Sequence, residues 1–108
     1  MNFKDTFNDR VYGILKTVPA GYVTTYKDIA KALGCRAYRA VGNALRLNRN
    51  APEIPCHRVV NSDGSIGGYS AGGGRVKKKK LLQDEGVAFK GWKILNFEEF
   101  IYEVSEDD

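Results

Sequence analysis

Residues 25–47 read TYKDIAKALGCRAYRAVGNALRL, and their spacing decides the fold. Thr25 stands three residues before Asp28, a capping-box-like start for a helix. Ile29, Ala30 and Leu33 then share one face, and Gly34 sits where a C-terminal cap belongs. Cys35-Arg36 is a tight connection to a second predicted helix over about 37–47. Its apolar stripe is Val41, Ala44 and Leu45. At about 100° per residue, Arg39, Asn43 and Arg46 fall on the opposite face. Two short helices joined in this way, with a basic outer face on the second, fit a helix-turn-helix. An ordinary helical hairpin fits the same spacing, so the rest of the chain has to separate the two.

Upstream, Phe7, Val11, Ile14, Leu15 and Val18 form one apolar helix face, stopped by Pro19-Ala20-Gly21. Downstream, prolines fix the entry to Cys56-His57-Arg58, and the β-branched Val59-Val60 predict a short strand before the turn Asn61-Ser62-Asp63-Gly64. Residues 64–74 hold six of the 12 glycines, a density that suits either a flexible loop or backbone brought close to a ligand. A helix is expected from about Gly74 to Glu85. It carries Lys77-Lys78-Lys79-Lys80, which sweep about 300° and cannot all face one partner, so some are expected to be merely solvated. Asn96 is a candidate N-cap for a last amphipathic helix through Phe97, Phe100, Ile101 and Val104.

The 108 residues amount to one domain, and 43% hydrophobic with 28% charged residues is ordinary for a globular chain. No apolar run approaches the ~20 residues that span a bilayer. The opening MNFKDTFNDR carries acids and no apolar core, unlike a secretory signal. The expectation is an intracellular protein, cytoplasmic or at the nucleoid, monomeric and with no membrane partner. Two cysteines are too few for a disulfide scaffold, and with one histidine they do not make up a four-ligand structural zinc site without carboxylates. The net charge of +4 hides an asymmetry. Residues 98–108 hold six acids and no base, which leaves 17 bases against seven acids in residues 1–97. A basic body with an acidic tail suits a polyanionic partner such as nucleic acid, or serves solubility alone.

Cys56 lies next to the chain's only histidine, His57. A thiolate is the nucleophile, and free cysteine at a pKa of about 8.5 is mostly protonated at neutral pH. His57 could act as its base, with Arg58 as a nearby charge; adjacent side chains often diverge, so a bridging water is expected between Cys56 and His57. From these two residues alone, a buried cysteine and a packed histidine are the commoner reading.

Ile54-Pro55-Cys56-His57-Arg58-Val59-Val60 resembles the reactive-cysteine signature of the alkylguanine-DNA alkyltransferases. Arg39-Ala40-Val41-Gly42-Asn43-Ala44 resembles that family's recognition-helix motif, and Thr25-Tyr26 the start of the preceding helix. Asn48, Gly67-Gly68-Tyr69-Ser70, and Leu81-Leu82 with Glu85-Gly86 resemble further family motifs in the same order, so the likeness covers roughly residues 3 to 87. It implies a mainly α, winged-helix-like DNA-binding domain with a helix-turn-helix and a short β element. To this the sequence adds the C-terminal amphipathic helix, with 1–108 a single unit and 88–108 an extension packed on it.

The function the resemblance implies is DNA repair by a single-use protein. An alkylated guanine, or a 4-alkylthymine, is rotated out of double-stranded DNA bound through the minor groove. Cys56 then takes the alkyl group irreversibly. Carried over by motif, His57 draws the thiol proton through water and Glu85 holds His57. Tyr26, Asn48, the Val59 carbonyl, Tyr69 and Ser70 would surround the base. Arg39 would fill the gap left by the flipped nucleotide, since extrusion costs a few kcal/mol of stacking that a planar guanidinium can offset. Thr25, Ala37, Tyr38, Gly42, Asn43 and Arg46 would line the DNA. A phosphate contact alone is the plainer role for Arg39 and Arg46. No cofactor and no metal are implied, because the family's zinc ligands belong to an N-terminal domain this chain is expected to lack.

Departures from the pattern bear on substrate range. Tyr38 stands where many members have a small residue, Arg49 where a proline is common, and Ala71 where a glycine is common. One subgroup of similar proteins lacks the cysteine, binds lesions without repairing them and recruits other repair factors. That is the second reading. A helix-turn-helix regulator with an incidental thiol is the third, and it leaves His57, Glu85, Tyr69 and Ser70 without a role.

Overall fold

In the computed structural model, residues 6–51, 53–68 and 73–106 are described. Helix α1 (Phe7–Leu15) starts on a capping box in which Thr6 and Asp9 bond each other's backbone amides at 3.1 and 3.2 Å. The helix stops at Leu15, short of the predicted Val18. Pro19 disfavours helical backbone at the residue before it. Val18 instead reaches the core from a tight turn, its amide bonded to the Leu15 carbonyl.

Strand β1 (Thr24–Thr25) leads into helix α2 (Tyr26–Ala32), and Thr25 caps that helix by accepting from the Asp28 amide at 3.0 Å. Gly34 supplies the left-handed residue that ends it, with φ +74°. Helix α3 (Tyr38–Arg46) follows, completing the helix-turn-helix. It buries Val41, Ala44 and Leu45 and exposes Arg39, Asn43 and Arg46, the division its spacing dictates. The Tyr12 hydroxyl donates to the Ala44 carbonyl at 2.7 Å and ties α1 to α3.

Strand β2 (Val59–Val60) returns beside β1 in parallel, Thr24 opposite Val59 and Thr25 opposite Val60. A parallel pair needs a long crossover, and the helix-turn-helix is that crossover. The pairing places the residues just before β2 next to the start of α2. Helix α4 (Gly74–Asp84) then packs over the Cys56–Arg58 turn.

The C-terminal segment departs from the predicted amphipathic helix. Strands β3 (Phe89–Lys90) and β4 (Lys93–Ile94) form an antiparallel hairpin, followed by a single 3-10 turn over Phe97–Glu99. Asn96 does not cap a helix: it adopts a left-handed conformation, φ +54°, and its side chain makes no capping bond. Beyond it, backbone bonds go to another segment. The Val23 amide donates to Phe100 and the Tyr102 amide to Val23, both at 2.8 Å, so residues 100–102 run beside Val23 as an extended strap. The apolar spacing that suggested a helix is met in two places. Phe97, Phe100 and Ile101 pack on the cluster of Val23, Val60, Leu82, Val87 and Ile94, while Val104 packs on the larger cluster around α1 to α3. No helix among the described residues is long and apolar enough to cross a membrane.

Candidate reaction centre and nucleic-acid interface

Cys56, His57 and Arg58 form one turn of 3-10 helix directly before β2. The Asn48 side chain shapes the approach. Its amide donates to the Ile54 carbonyl at 2.8 Å and its oxygen accepts from the Asn50 amide at 2.9 Å. Asn48 therefore positions the loop that carries Cys56, and both ends of its amide are engaged by the chain's own backbone.

Cys56 lies at the edge of the larger apolar cluster and keeps 7% of its surface exposed. His57 is 1% exposed. Its Nε2 lies 3.0 Å from Glu85 Oε2. Arg58 grips the same carboxylate twice, Nε to Oε1 at 3.0 Å and Nη2 to Oε2 at 2.6 Å, and donates to the Val18 carbonyl at 2.8 Å. Burial alone works against an ionised Glu85, but the bonds from Arg58 and His57 outweigh it and hold the carboxyl below its ordinary value. An ionised carboxylate only accepts, so His57 Nε2 carries the proton and Nδ1 presents a lone pair. Nδ1 is buried without a hydrogen-bond partner among the described residues. Burial lowers the His57 pKa, with Arg58 and Lys78 acting in the same direction against Glu85, so the ring is neutral at pH 7. The result is a neutral imidazole, held from behind by Glu85, one residue along the turn from a thiol and with no partner on Nδ1 among the described residues: groups of the types that nucleophile, base and orienter require.

Two roles differ from the sequence reading. Arg58 is not a charge for the thiol; its guanidinium is committed to Glu85 and Val18. A cation that senses charge on Cys56 is Lys78, from the run of four lysines of which some were expected to be solvated. Lys78 is completely buried and donates to the Gly68 carbonyl at 3.0 Å. Burial brings its pKa down to about 8, and charge on Cys56 opposes that shift. Lys78 thus pins the start of the glycine loop beside the sulfur. A sequence signal existed: Lys78 lies four residues before buried Leu82 and seven before Glu85, on one helix face.

Tyr26, at the start of α2, is half-buried near the same sulfur, and burial followed by charge on Cys56 raises its phenol pKa. A Cβ added to Gly67, at φ +70°, would stand 3.2 Å from the Tyr26 hydroxyl, so glycine allows that segment to close on Tyr26. Tyr26, Lys27, Tyr38, Arg39, Asn61 and Ser62 line an open groove of about 380 Å³. The groove brings together Tyr26 from the reaction centre and Tyr38 and Arg39 from the outer face of α3. Tyr38 is 45% exposed, Ala37, Arg39, Asn43 and Arg46 are exposed, and Gly42 is partly exposed. Arg46 Nη2 bonds Asn43 Oδ1 at 2.5 Å.

The remaining expected site residues lie at the start of α2, in β2 and beyond residue 68. Thr25 is 4% exposed and its hydroxyl caps α2, so its side chain serves the helix start. Val59 is buried in β2. Tyr69 and Ser70, expected at the base, and Ala71 lie outside the described residues. Among the described residues, no group of three or more His, Cys, Asp or Glu side chains could hold a metal ion.

Residues 6–87 match the sequence model described as the DNA binding domain of 6-O-methylguanine DNA methyltransferase. The mouse methylated-DNA–protein-cysteine methyltransferase is 46% identical over 86 residues, 78% of this chain and 40% of its own length. The crystal structure of S. pombe Atl1 with damaged DNA containing O6-carboxymethylguanine aligns at a TM-score of 0.76 and 31% identity, covering 94% of this chain and 98% of that one. The O6-methylguanine-DNA methyltransferase of Pyrococcus kodakaraensis aligns at 0.68 and 48% identity, covering 78% of this chain and 48% of that one. The chain spans 28% to 41% of the length of several of the methyltransferase relatives it matches.

Proposed function

We propose, from the premise that this chain belongs to the O6-methylguanine-DNA methyltransferase family, that it repairs alkylated guanine in double-stranded DNA by moving the alkyl group to Cys56. The observation that carries the reading is a neutral His57 whose Nε2 is held by Glu85 and whose buried Nδ1 has no partner among the described residues.

The steps follow from that arrangement. Arg39 and Tyr38 dock on the duplex and the damaged nucleotide turns out past Tyr26. The minor groove suits this, because its code is degenerate and a lesion must be met in any sequence. Water bridging Cys56 and His57 Nδ1 passes the thiol proton to the imidazole, and Glu85 stabilises the imidazolium. The Cys56 sulfur attacks the alkyl carbon: an S–C bond forms as the C–O6 bond breaks. The electron pair goes to the purine, which takes the proton and leaves as guanine. Lys78 holds a positive charge near the sulfur as the thiolate forms. The thioether has no route back, so each molecule acts once.

One observation favours the second reading, a protein that binds lesions without repairing them. The match to S. pombe Atl1 covers 94% of the chain, so it must run past residue 87, where the methyltransferase domain match ends. The two readings part on the fate of the lesion. On incubation with a duplex carrying one O6-methylguanine, nucleoside chromatography is expected to show the lesion converted to guanine, one per protein molecule. A lesion bound but unchanged would favour the second reading.

A further inference from the structure

The β3–β4 hairpin lies beyond the matched domain and carries the chain's single tryptophan at its turn. Trp92 is 40% exposed. The Arg75 guanidinium stands 4.5 Å from the centre of its ring and the Lys79 ammonium 5.0 Å, with Lys79 also 5.6 Å from the Phe89 ring. Among the described residues, neither cation gives a hydrogen bond or an ion pair to a carboxylate. Lys90 and Lys93 of the same hairpin are exposed. The neighbouring Asp63 accepts hydrogen bonds from the Ser65 amide and hydroxyl and also senses the Lys93 charge, one acid against four cations. The patch is therefore strongly positive, and aromatic faces hold two of its cations in place.

The position of this patch ties it to the nucleic-acid face. The Trp92 carbonyl accepts from the Ile66 amide at 3.0 Å, and Lys93 pairs with Ser65. The next residue, Gly67, is the one that abuts Tyr26. Arg75 and Lys79 lie on α4, which starts where the glycine loop ends. The hairpin is thus linked through Ser65, Ile66 and Gly67 to the groove that holds Tyr26, Tyr38 and Arg39.

We propose that Trp92, Arg75 and Lys79 form a second DNA contact, a wing that grips the phosphate backbone beside the extruded nucleotide while α3 occupies the groove. Its ligand is the DNA phosphate chain. A guanidinium lying on an indole keeps its edge donors outward and loses little freedom on meeting a phosphate oxygen. The inference rests on the reading of the chain as a DNA-binding repair protein.

The lone tryptophan makes the test direct. A fluorescently labelled undamaged duplex reports binding by anisotropy, and acrylamide quenching of Trp92 emission reports access to the patch. Bound duplex is expected to shield Trp92 from acrylamide. In Arg75→Gln/Lys79→Gln, the slope of log affinity against log salt is expected to shrink by about two phosphate contacts, at about 0.9 each. Arg75 is exposed and Lys79 partly so, and only their contacts with the Trp92 and Phe89 rings are lost, so the unfolding midpoint should fall only slightly. Duplex binding with Trp92 equally quenchable and the slope unaltered in the double variant would overturn the wing alone. Failure of the parent chain to bind duplex at low salt would overturn the repair reading and the wing together.

Discussion

Around Cys56 the polar groups are buried and held, whereas on the outer face of α3 they stand in solvent. His57 is fixed by Glu85, Glu85 by Arg58, Arg58 by the Val18 carbonyl, and Lys78 by Gly68. Arg39 and Tyr38 share an open groove instead. The first region is organised before any partner arrives, and its geometry is folding free energy stored as orientation. In the proposed reading the second acquires its geometry from the duplex. Damage to the first should therefore slow transfer while sparing binding, and damage to the second should do the reverse.

The largest separation is expected from Glu85→Gln. Loss of the orienting carboxylate should slow transfer by about 10²- to 10³-fold, in the range of positioned general bases, with duplex affinity nearly unchanged. Single-turnover transfer and anisotropy measured on one preparation check this, and a parallel loss of binding would break the division. Arg39→Ala should do the opposite. Loss of the side chain that fills the stack should cost about ten- to a hundredfold on duplex, in line with a few kcal/mol of unstacking. Transfer from free O6-methylguanine base, which needs no extrusion, should barely change.

The acid limb of the pH–rate profile sharpens the comparison further. In the proposed mechanism transfer needs a neutral His57, and burial holds the ring's pKa below its ordinary 6.5. The rate should therefore stay level as pH falls through 6.5 and drop only below it. An acid limb at or above 6.5 would mean that His57 is solvated like an α3 side chain.

Lys78→Met tests the buried region through stability, and its sign is instructive. The fold lowers the lysine from 10.5 to about 8, so below pH 8 both states carry the proton and the fold bears the burial cost of about 3 kcal/mol. Between about pH 8 and 10.5 the unfolded chain binds more protons, and this group's contribution to stability rises with pH. Lys78→Met should match or exceed the parent's melting temperature at pH 7 and lose that rise, while transferring more slowly because Gly68 is no longer held. Thermal unfolding at pH 7 and 9.5 reads both. A large destabilisation at pH 7 would show that the Gly68 bond outweighs the cost of burying the charge.

What was legible in the sequence was local. The helix-turn-helix rests on Thr25, Gly34 and the Val41–Leu45 stripe, each set by a neighbour three or four residues away. The Cys56–His57 pair and its link to Glu85 rested on motif resemblance, and the geometry adds the tautomer and the bare Nδ1. Less legible were features set by distant chain. Arg58 looked like a partner for the adjacent thiol, but the carboxylate that claims it is 27 residues away. Lys78 was masked by three similar neighbours, although its spacing from Leu82 marked it as the inward one. The C-terminal helix failed for the same reason. Phe97, Phe100, Ile101 and Val104 have helical spacing, yet Val23 takes the backbone bonds and two separate clusters take the side chains.

The most direct test of the central claim is peptide mass mapping after incubation with a duplex carrying O6-methylguanine. The peptide containing Cys56 should gain the mass of one methyl group in proportion to the lesion supplied. The peptide with half-buried Cys35 should stay unmodified, and Cys56→Ser should bind the duplex and gain nothing. Tight binding of the lesion with no mass gained on Cys56 would contradict the account.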